Sequence, residues 1–383
     1  MKEFGVGILG FGFIGKVHAF GYRNLSYYFD PPPARVRLVG VCTSRQESAE
    51  KARDEGGFEF GTADYREILS REDIQIVNIC TPNDLHRDEL LAAMEAGKHI
   101  YCDKPLTATW AEAQEVATAL KDYRCVSQMT LNNRFTVPAL RAKQMIEEGF
   151  LGEVTQFRAG YFHSGSVDPQ KPVGWKQRAG AGGGVINDLA SHVVDLVDWL
   201  VGPVTAVQAE SRILYPERPT KEGGTVSVEA EDSVNMLARL ADGGTGVIEA
   251  TKIATGTEDE LRVELHGTRG AIRFNSMQPN YLEVYSLADS DRPMGGTRGW
   301  KQIATVHRYE KPAGWPGPKF ATGWMRSHVQ CLNNFVSAVA GGTPTQPDLA
   351  RGVRVQYVLE RIRRSAAEGC WMKVEPEEKG QDS

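Results

Sequence analysis

Six residues near the N-terminus, Gly10-Phe11-Gly12-Phe13-Ile14-Gly15, restrict the possible folds more than any other stretch of the chain. They follow an apolar strand pattern, Val6-Gly7-Ile8-Leu9, and open a helical one. In that setting G-x-G-x-x-G reads as a strand-turn-helix fingerprint for a dinucleotide. Gly10 permits the tight turn, Gly12 lets a pyrophosphate approach the backbone, and Gly15 lets the helix pack on the strand with its N-terminus toward the phosphates. A plain glycine-rich turn is the alternative. The continuation decides against it, because the first ~125 residues alternate short apolar runs with helical patterns, as a parallel sheet with crossover helices requires.

Further strands are predicted over 35–42, 74–80 and 99–102. Between the last two, Leu90, Leu91 and Met94 fall at helical spacing and Gly97 stands where a left-handed residue stops the helix. Thr109-Trp110-Ala111-Glu112 has the form of a capping box, opening a helix with apolar positions 110, 113, 116, 117 and 120. Beyond Arg124 the texture changes to longer β-like stretches over 154–162, 233–240 and 246–253, flanked by helices over 137–148, after Asp188 and over 324–339. Residues 289–323, rich in Gly, Pro and Trp, read as one long surface loop. The expected fold class is α/β: a Rossmann parallel sheet over 1–125, then an α+β domain over 126–383 with a mostly antiparallel, open-faced sheet.

Composition is consistent with two globular cores. The chain has 383 residues, 41% hydrophobic and 24% charged, with a net charge of -5. Without a Lys/Arg cluster it has no electrostatic footprint for nucleic acid. No apolar run reaches membrane-spanning length, and no secretory signal pattern opens the sequence. Six scattered cysteines lack metal or disulfide spacing, so no metal is expected and the thiols read as free, in a reducing cytoplasm.

Four further stretches stand where chemistry is expected. Strand 35–42 runs into Thr43-Ser44-Arg45 with no carboxylate until Glu47, although an NAD enzyme usually places an acid there for the adenosine ribose. Arg45 suits a 2′-phosphate instead, which tilts the expectation within NAD(P) toward NADP. Thr81, Pro82 and Asn83 sit at the end of a later strand, facing the ligand crevice of such a sheet; a turn with Asn83 as helix N-cap is a compatible reading. Asp103-Lys104-Pro105 follows another strand, and its proline holds Lys104 in a non-helical turn. Finally, Gly182-Gly183-Gly184 precedes Asp188 and His192, which are one helical turn apart on a face shared with Asp195 and Trp199.

Together and in this order, these motifs resemble the Gfo/Idh/MocA family (glucose-fructose oxidoreductase / inositol dehydrogenase). The resemblance rests on Gly10, Gly12 and Gly15, on Thr81-Pro82-Asn83-x-x-His86, on Asp103-Lys104-Pro105 and on Gly183-Gly184-x-x-x-Asp188-x-x-x-His192. Asn132-Asn133-Arg134-Phe135 is similar to the family's entry into its second domain. Asp103 departs from the family's usual Glu. Trp175-Lys176 and the Pro-rich segment 30–33 look most like the sugar-oxidising members. The resemblance implies an NAD(P)-dependent dehydrogenase acting on CH–OH of a sugar, glycoside or cyclitol, and a homodimer or homotetramer.

Oxidising a carbinol requires a base near neutrality, for which histidine suits. His192 is therefore expected as general acid/base, Asp188 as its partner or the substrate's, and Lys104 as the charge that stabilises the alkoxide. Phe11, Phe13, Ile14, His86, Asp103 and Asn132 join the cofactor candidates. Arg134, Arg158, Tyr161, His163, Trp175 and Arg178 are the substrate candidates. Two rivals remain: a redox-assisted glycosidase, whose family members lack the lysine found here at 104, and a non-catalytic cofactor-binding regulator.

Overall fold

Strands buried on both faces must be apolar almost continuously, and that is how the N-terminal strands read. In the computed structural model, which describes residues 1–375, β1 (Glu3–Leu9), β2 (Arg35–Cys42), β3 (Phe60–Thr62), β4 (Ile76–Ile79), β5 (His99–Cys102) and β6 (Ser127–Met129) form one parallel sheet in the order β3-β2-β1-β4-β5-β6. Helices α1 (Phe13–Tyr28), α2 (Gln46–Gly56), α3 (Tyr65–Ser70), α4 (His86–Glu95) and α5 (Trp110–Leu120) connect the strands. The strand order reverses between β1 and β4. Ligands of such sheets bind outside the carboxyl ends of the strands at that point.

The start of α5 follows the sequence closely, with Thr109 and Glu112 forming the reciprocal capping box. Asn83 does not cap α4. It opens a short 3-10 turn (Asn83–Leu85) and is buried there.

The second group of elements begins with α6 (Val137–Glu147), β7 (Val154–Phe162), α7 (Ser191–Val201) and β8 (Val204–Arg212). After the small hairpin β9 (Glu217–Pro219) and β10 (Thr225–Ser227) come β11 (Ser233–Leu240), β12 (Thr245–Thr251), β13 (Glu260–Gly267), β14 (Gly270–Asn275), β15 (Tyr281–Ser286) and β16 (Lys301–Ala304). The chain closes with α8 (Trp324–Gly341), α9 (Leu349–Glu368) and β17 (Met372–Lys373). The large sheet runs β16-β15-β14-β13-β7-β12-β11-β8-β17 and is antiparallel except where β7 pairs with β12. Period-2 burial makes it two-faced: Val234, Met236, Ala238 and Leu240 of β11 are buried, while Leu237 and Arg239 between them are exposed. No helix among the described residues is long and apolar enough to cross a membrane.

The division of the chain differs from a single cut at 125/126. One compact unit comprises Met1–Phe135 together with His307–Gln356; the other comprises Thr136–Val306 and the residues from Tyr357 on. The physical reason is that the first sheet needs more than the first 125 residues. Strand β6 pairs with β5, and its Gln128 donates to the Cys331 carbonyl at 2.8 Å. One face of the sheet is sealed by α1 and α8, through Tyr22, Leu25, Leu332, Phe335 and Val336, while Ile68, Leu90 and Val116 of α3, α4 and α5 seal the other. Nor is 289–323 one loop, since β16 pairs with β15 and Ala313 bridges Phe29.

Candidate functional site

The first unit offers a cradle at its switch point. Gly10 has φ +86, and a Cβ there would lie 2.6 Å from the Cys80 carbonyl oxygen, so only glycine fits between the ends of β1 and β4. The Gly10 amide donates to the Cys42 carbonyl at 2.9 Å, which ties the turn to β2. A Cβ on Gly15 would collide with the Gly10 carbonyl, whereas one on Gly12 would meet nothing within 4 Å. Gly12 caps α1 without any side-chain hydrogen bond, and the first turn of α1 holds no acid. A helix start without a side-chain cap, beside open space at Gly12, suits a pyrophosphate. Phe11 packs edge-on against Phe58, Ile14 is half-buried, and exposed Phe13 stacks on Trp324 at 5.6 Å.

Past β2, the Thr43 and Ser48 hydroxyls lie 2.6 Å apart, and Ser44 and Arg45 are exposed. At the end of β4 the Thr81 hydroxyl donates to Glu89 at 2.6 Å, and Pro82 is exposed. Asp103 and Lys104 are half-buried just past β5. Two cofactor candidates have other work inside the fold. His86 is fully buried, with Nε2 3.0 Å from the Thr81 carbonyl oxygen and Nδ1 3.0 Å from that of Pro105. Both ring nitrogens are thus committed to backbone, which corrects the expectation that His86 touches the dinucleotide itself. Asn132, also buried, donates to the Ser327 hydroxyl at 3.0 Å, and Arg134 is 6% exposed.

The second unit gathers a separate polar group. Helix α7 does not begin as a regular helix at Asp188. A wider π turn over Ile186–Ala190 precedes it, and Glu231 supplies the start by accepting from the Ile186 amide at 2.9 Å. Gly184, at φ +96, leaves the space that this carboxylate fills. From the π turn Asp188 accepts salt bridges of 2.9 Å from both Lys176 and Lys252 on the same Oδ2. Lys252 is 8% exposed, while the Lys176 side chain is about half exposed. His192, buried on α7, meets Tyr161 edge-on with ring centroids 5.7 Å apart. Tyr161 donates to Asp259 at 2.6 Å; burial, and then the adjacent carboxylate, hold its phenol well above the ordinary tyrosine range.

Of the substrate candidates in this unit, Tyr161 therefore stands beside His192. Arg158 does not join them. It is three positions away on β7, so the strand's alternation sends it to the opposite sheet face, where it is exposed and pairs with Glu264 at 3.5 Å. His163 is half-buried and accepts from the Gly165 amide. Trp175 and Arg178 lie exposed around a 3-10 turn, and it is the neighbouring Lys176 that reaches Asp188. Sequence reasoning missed Lys252, Asp259, Glu231 and Glu89. The only hint for Lys252 was a lysine immediately past an otherwise apolar strand.

A parallel sheet in this order, with an open anion cradle at its switch point, defines a dinucleotide-binding oxidoreductase architecture. Residues 4–131 match the model of the oxidoreductase family with an NAD-binding Rossmann fold, and residues 139–273 match the GFO/IDH/MocA C-terminal domain. The chain belongs to the GFO/IDH/MocA oxidoreductase family. It is 35% identical to levoglucosan dehydrogenase of Pseudarthrobacter phenanthrenivorans, over 98% of this chain and 99% of that one. It is 27% identical to inositol 2-dehydrogenase of Rhizobium meliloti, over 94% and 96% of the two chains. A solved levoglucosan dehydrogenase in complex with NADH and levoglucosan superposes with a TM-score of 0.93 at 35% identity, covering 98% of this chain and 100% of that one.

Proposed function

We propose that the protein transfers a hydride between a nicotinamide dinucleotide and a secondary alcohol of a sugar, glycoside or cyclitol. The observation that carries this reading is the group around α7: a buried imidazole one turn from a carboxylate, with two lysines on that carboxylate and a tyrosine against the ring. His192 takes the hydroxyl proton during oxidation and returns it during reduction. Asp188, its charge balanced by Lys176 and Lys252, accepts from a substrate hydroxyl or orients the imidazole. Lys104 is assigned the positive charge that the developing alkoxide needs. The dinucleotide, when bound, accepts or returns the hydride. The names of the relatives, levoglucosan and inositol dehydrogenases, support a polyhydroxylated substrate.

Arg45 after a strand end without a carboxylate favours NADP, although the solved levoglucosan dehydrogenase is a complex with NADH. The outward face of the large sheet is assigned to a homodimer or homotetramer, and the protein to the cytoplasm. A panel of sugars, glycosides and inositols, followed by reduced-cofactor absorbance with NAD and NADP in parallel, tests the substrate class. His192→Ala and Lys104→Ala are each expected to lower turnover by ~10²–10⁴ while leaving NADH affinity nearly intact. Wild-type turnover in either variant removes that residue from the mechanism.

A further inference from the structure

Two buried polar side chains on the first turn of α4, His86 and Glu89, are not used by the alcohol chemistry, yet both grip the strand end beside the glycine turn. Glu89 holds the Thr81 hydroxyl at 2.6 Å, and His86 spans the carbonyls of Thr81 and Pro105 at 3.0 Å each. Thr81 in turn abuts the cradle, because its amide nitrogen lies 2.9 Å from where a Cβ on Gly10 would stand. One helical turn therefore ties the end of β4 to the turn after β5 and presses on the dinucleotide side of the sheet.

Glu89 is a costly residue to place there. It is 4% exposed, and the charged groups acting on it, Asp84 and Asp88, are both acidic. Around it stand His86, three residues earlier on α4, and the thiols of Cys42 on β2, Cys80 just past β4 and Cys102 on β5, each thiol pushed up chiefly by burial. Against this the Thr81 hydroxyl, donating at 2.6 Å, favours the ionised form. Burial raises the Glu89 carboxyl to about 7.

We propose that His86 and Glu89 are positioning residues for the dinucleotide cradle, and that binding of the anionic dinucleotide beside Thr81 is coupled to a proton held on Glu89. A pyrophosphate brings negative charge to a region that already contains a poorly solvated carboxyl, and the neutral acid avoids that repulsion. Coupling is reciprocal: if the dinucleotide favours the protonated carboxyl, protonation favours the dinucleotide. The proton comes from solvent, and no bond of the cofactor changes. Affinity is therefore highest below pH 7 and falls as Glu89 ionises above it.

The test is fluorescence titration of the full-length protein with NADH between pH 6.0 and 8.5, NADH being chosen because the 2′-phosphate of NADPH titrates near 6 itself. Wild-type affinity is expected to fall about fivefold across that range. Glu89→Gln, permanently neutral, should lose the pH dependence, and Thr81→Val should move the midpoint upward by removing the hydrogen bond that favours the carboxylate. His86→Asn should weaken binding at every pH without moving the midpoint, because it loosens the strand ends but leaves Glu89 in place. Calorimetry at pH 7 in two buffers of different ionisation enthalpy should show proton uptake on binding by the wild type and none by Glu89→Gln. A flat wild-type profile overturns the proposal whatever the variants do, as does a Glu89→Gln profile that keeps the wild-type midpoint. Absence of NADH binding at any pH would instead overturn the dinucleotide site itself.

Discussion

Lys252→Met isolates the least expected member of the α7 group. The side chain of Lys252 is 10% exposed and that of Asp188 14%, so neither rehydrates when the other is lost, whereas Lys176 is 48% exposed and can return to water. Removing one partner of a buried pair costs about 3–5 kcal/mol. Lys252→Met leaves Asp188 with Lys176 and so falls below that range, at about 2 kcal/mol. Asp188→Asn takes from the buried ammonium of Lys252 the carboxylate that it pairs with at 2.9 Å and falls within it, at about 3 kcal/mol. The double variant removes both buried charges and should cost less than the sum of the two by about 1.5–2 kcal/mol. Lys176→Met, at a half-exposed site, should cost under about 1 kcal/mol. Thermal melts read these differences, at about 2–4 °C per kcal/mol for a domain of this size. Strict additivity of Lys252→Met and Asp188→Asn, within about 0.5 kcal/mol, would refute the claim that the two charges depend on each other.

Two further outcomes follow from buried geometry. Gly184→Ala must accept φ +96 and push its Cβ into the Glu231 carboxylate, 2.7 Å from Cδ, so it should lose about 2–3 kcal/mol of stability and lower turnover by displacing the π turn that carries Asp188; unchanged melting and turnover would show that the segment simply relaxes. His18 is 1% exposed and burial lowers it to about 3, so the folded protein resists a proton that the unfolded chain takes up below about 6.5. Its stabilising contribution is present above pH 6.5 and is lost as pH falls toward 3, by about 2 kcal/mol at pH 5. Urea midpoints at pH 7.5 and 5 should therefore diverge more for the wild type than for His18→Gln, and equal divergence would place the acid sensitivity elsewhere.

Legibility in the sequence followed how local the determining physics is. The turn from Leu9 to Gly15, the Thr109 capping box and the alternation of β11 are written in neighbouring residues, and each was readable. Strand β6 was not, because Ser127-Gln128-Met129 has no apolar pattern and owes its place to Gln128 hydrogen bonds with residues about 200 positions away. The same distance hid the pairing of α8 with α1. In the α7 group, Asp188 and His192 announced themselves through their spacing after the glycines. Lys252 and Asp259 did not, since β12 and the segment before β13 bring them in only through sheet register. Arg158 and Tyr161 share one strand, but three positions along it put them on opposite faces, a consequence of period 2 that a list of candidate residues does not carry. His86 was recognised as important but given the wrong contact, because sequence shows that a residue sits near a strand end and not which way its ring turns.

The discontinuous first unit carries a cost during synthesis. Phe335 and Val336, which seal one face of the parallel sheet, emerge about 200 residues after β6, or some 10–40 s later at ordinary elongation rates. For that interval Tyr22, Leu25 and their neighbours lack the cover of α8, and the large sheet too waits for its edge strand β17. A chain halted before Trp324 would keep its glycine turn but expose the apolar underside of the sheet, which makes it a substrate for holdase chaperones rather than a smaller working enzyme.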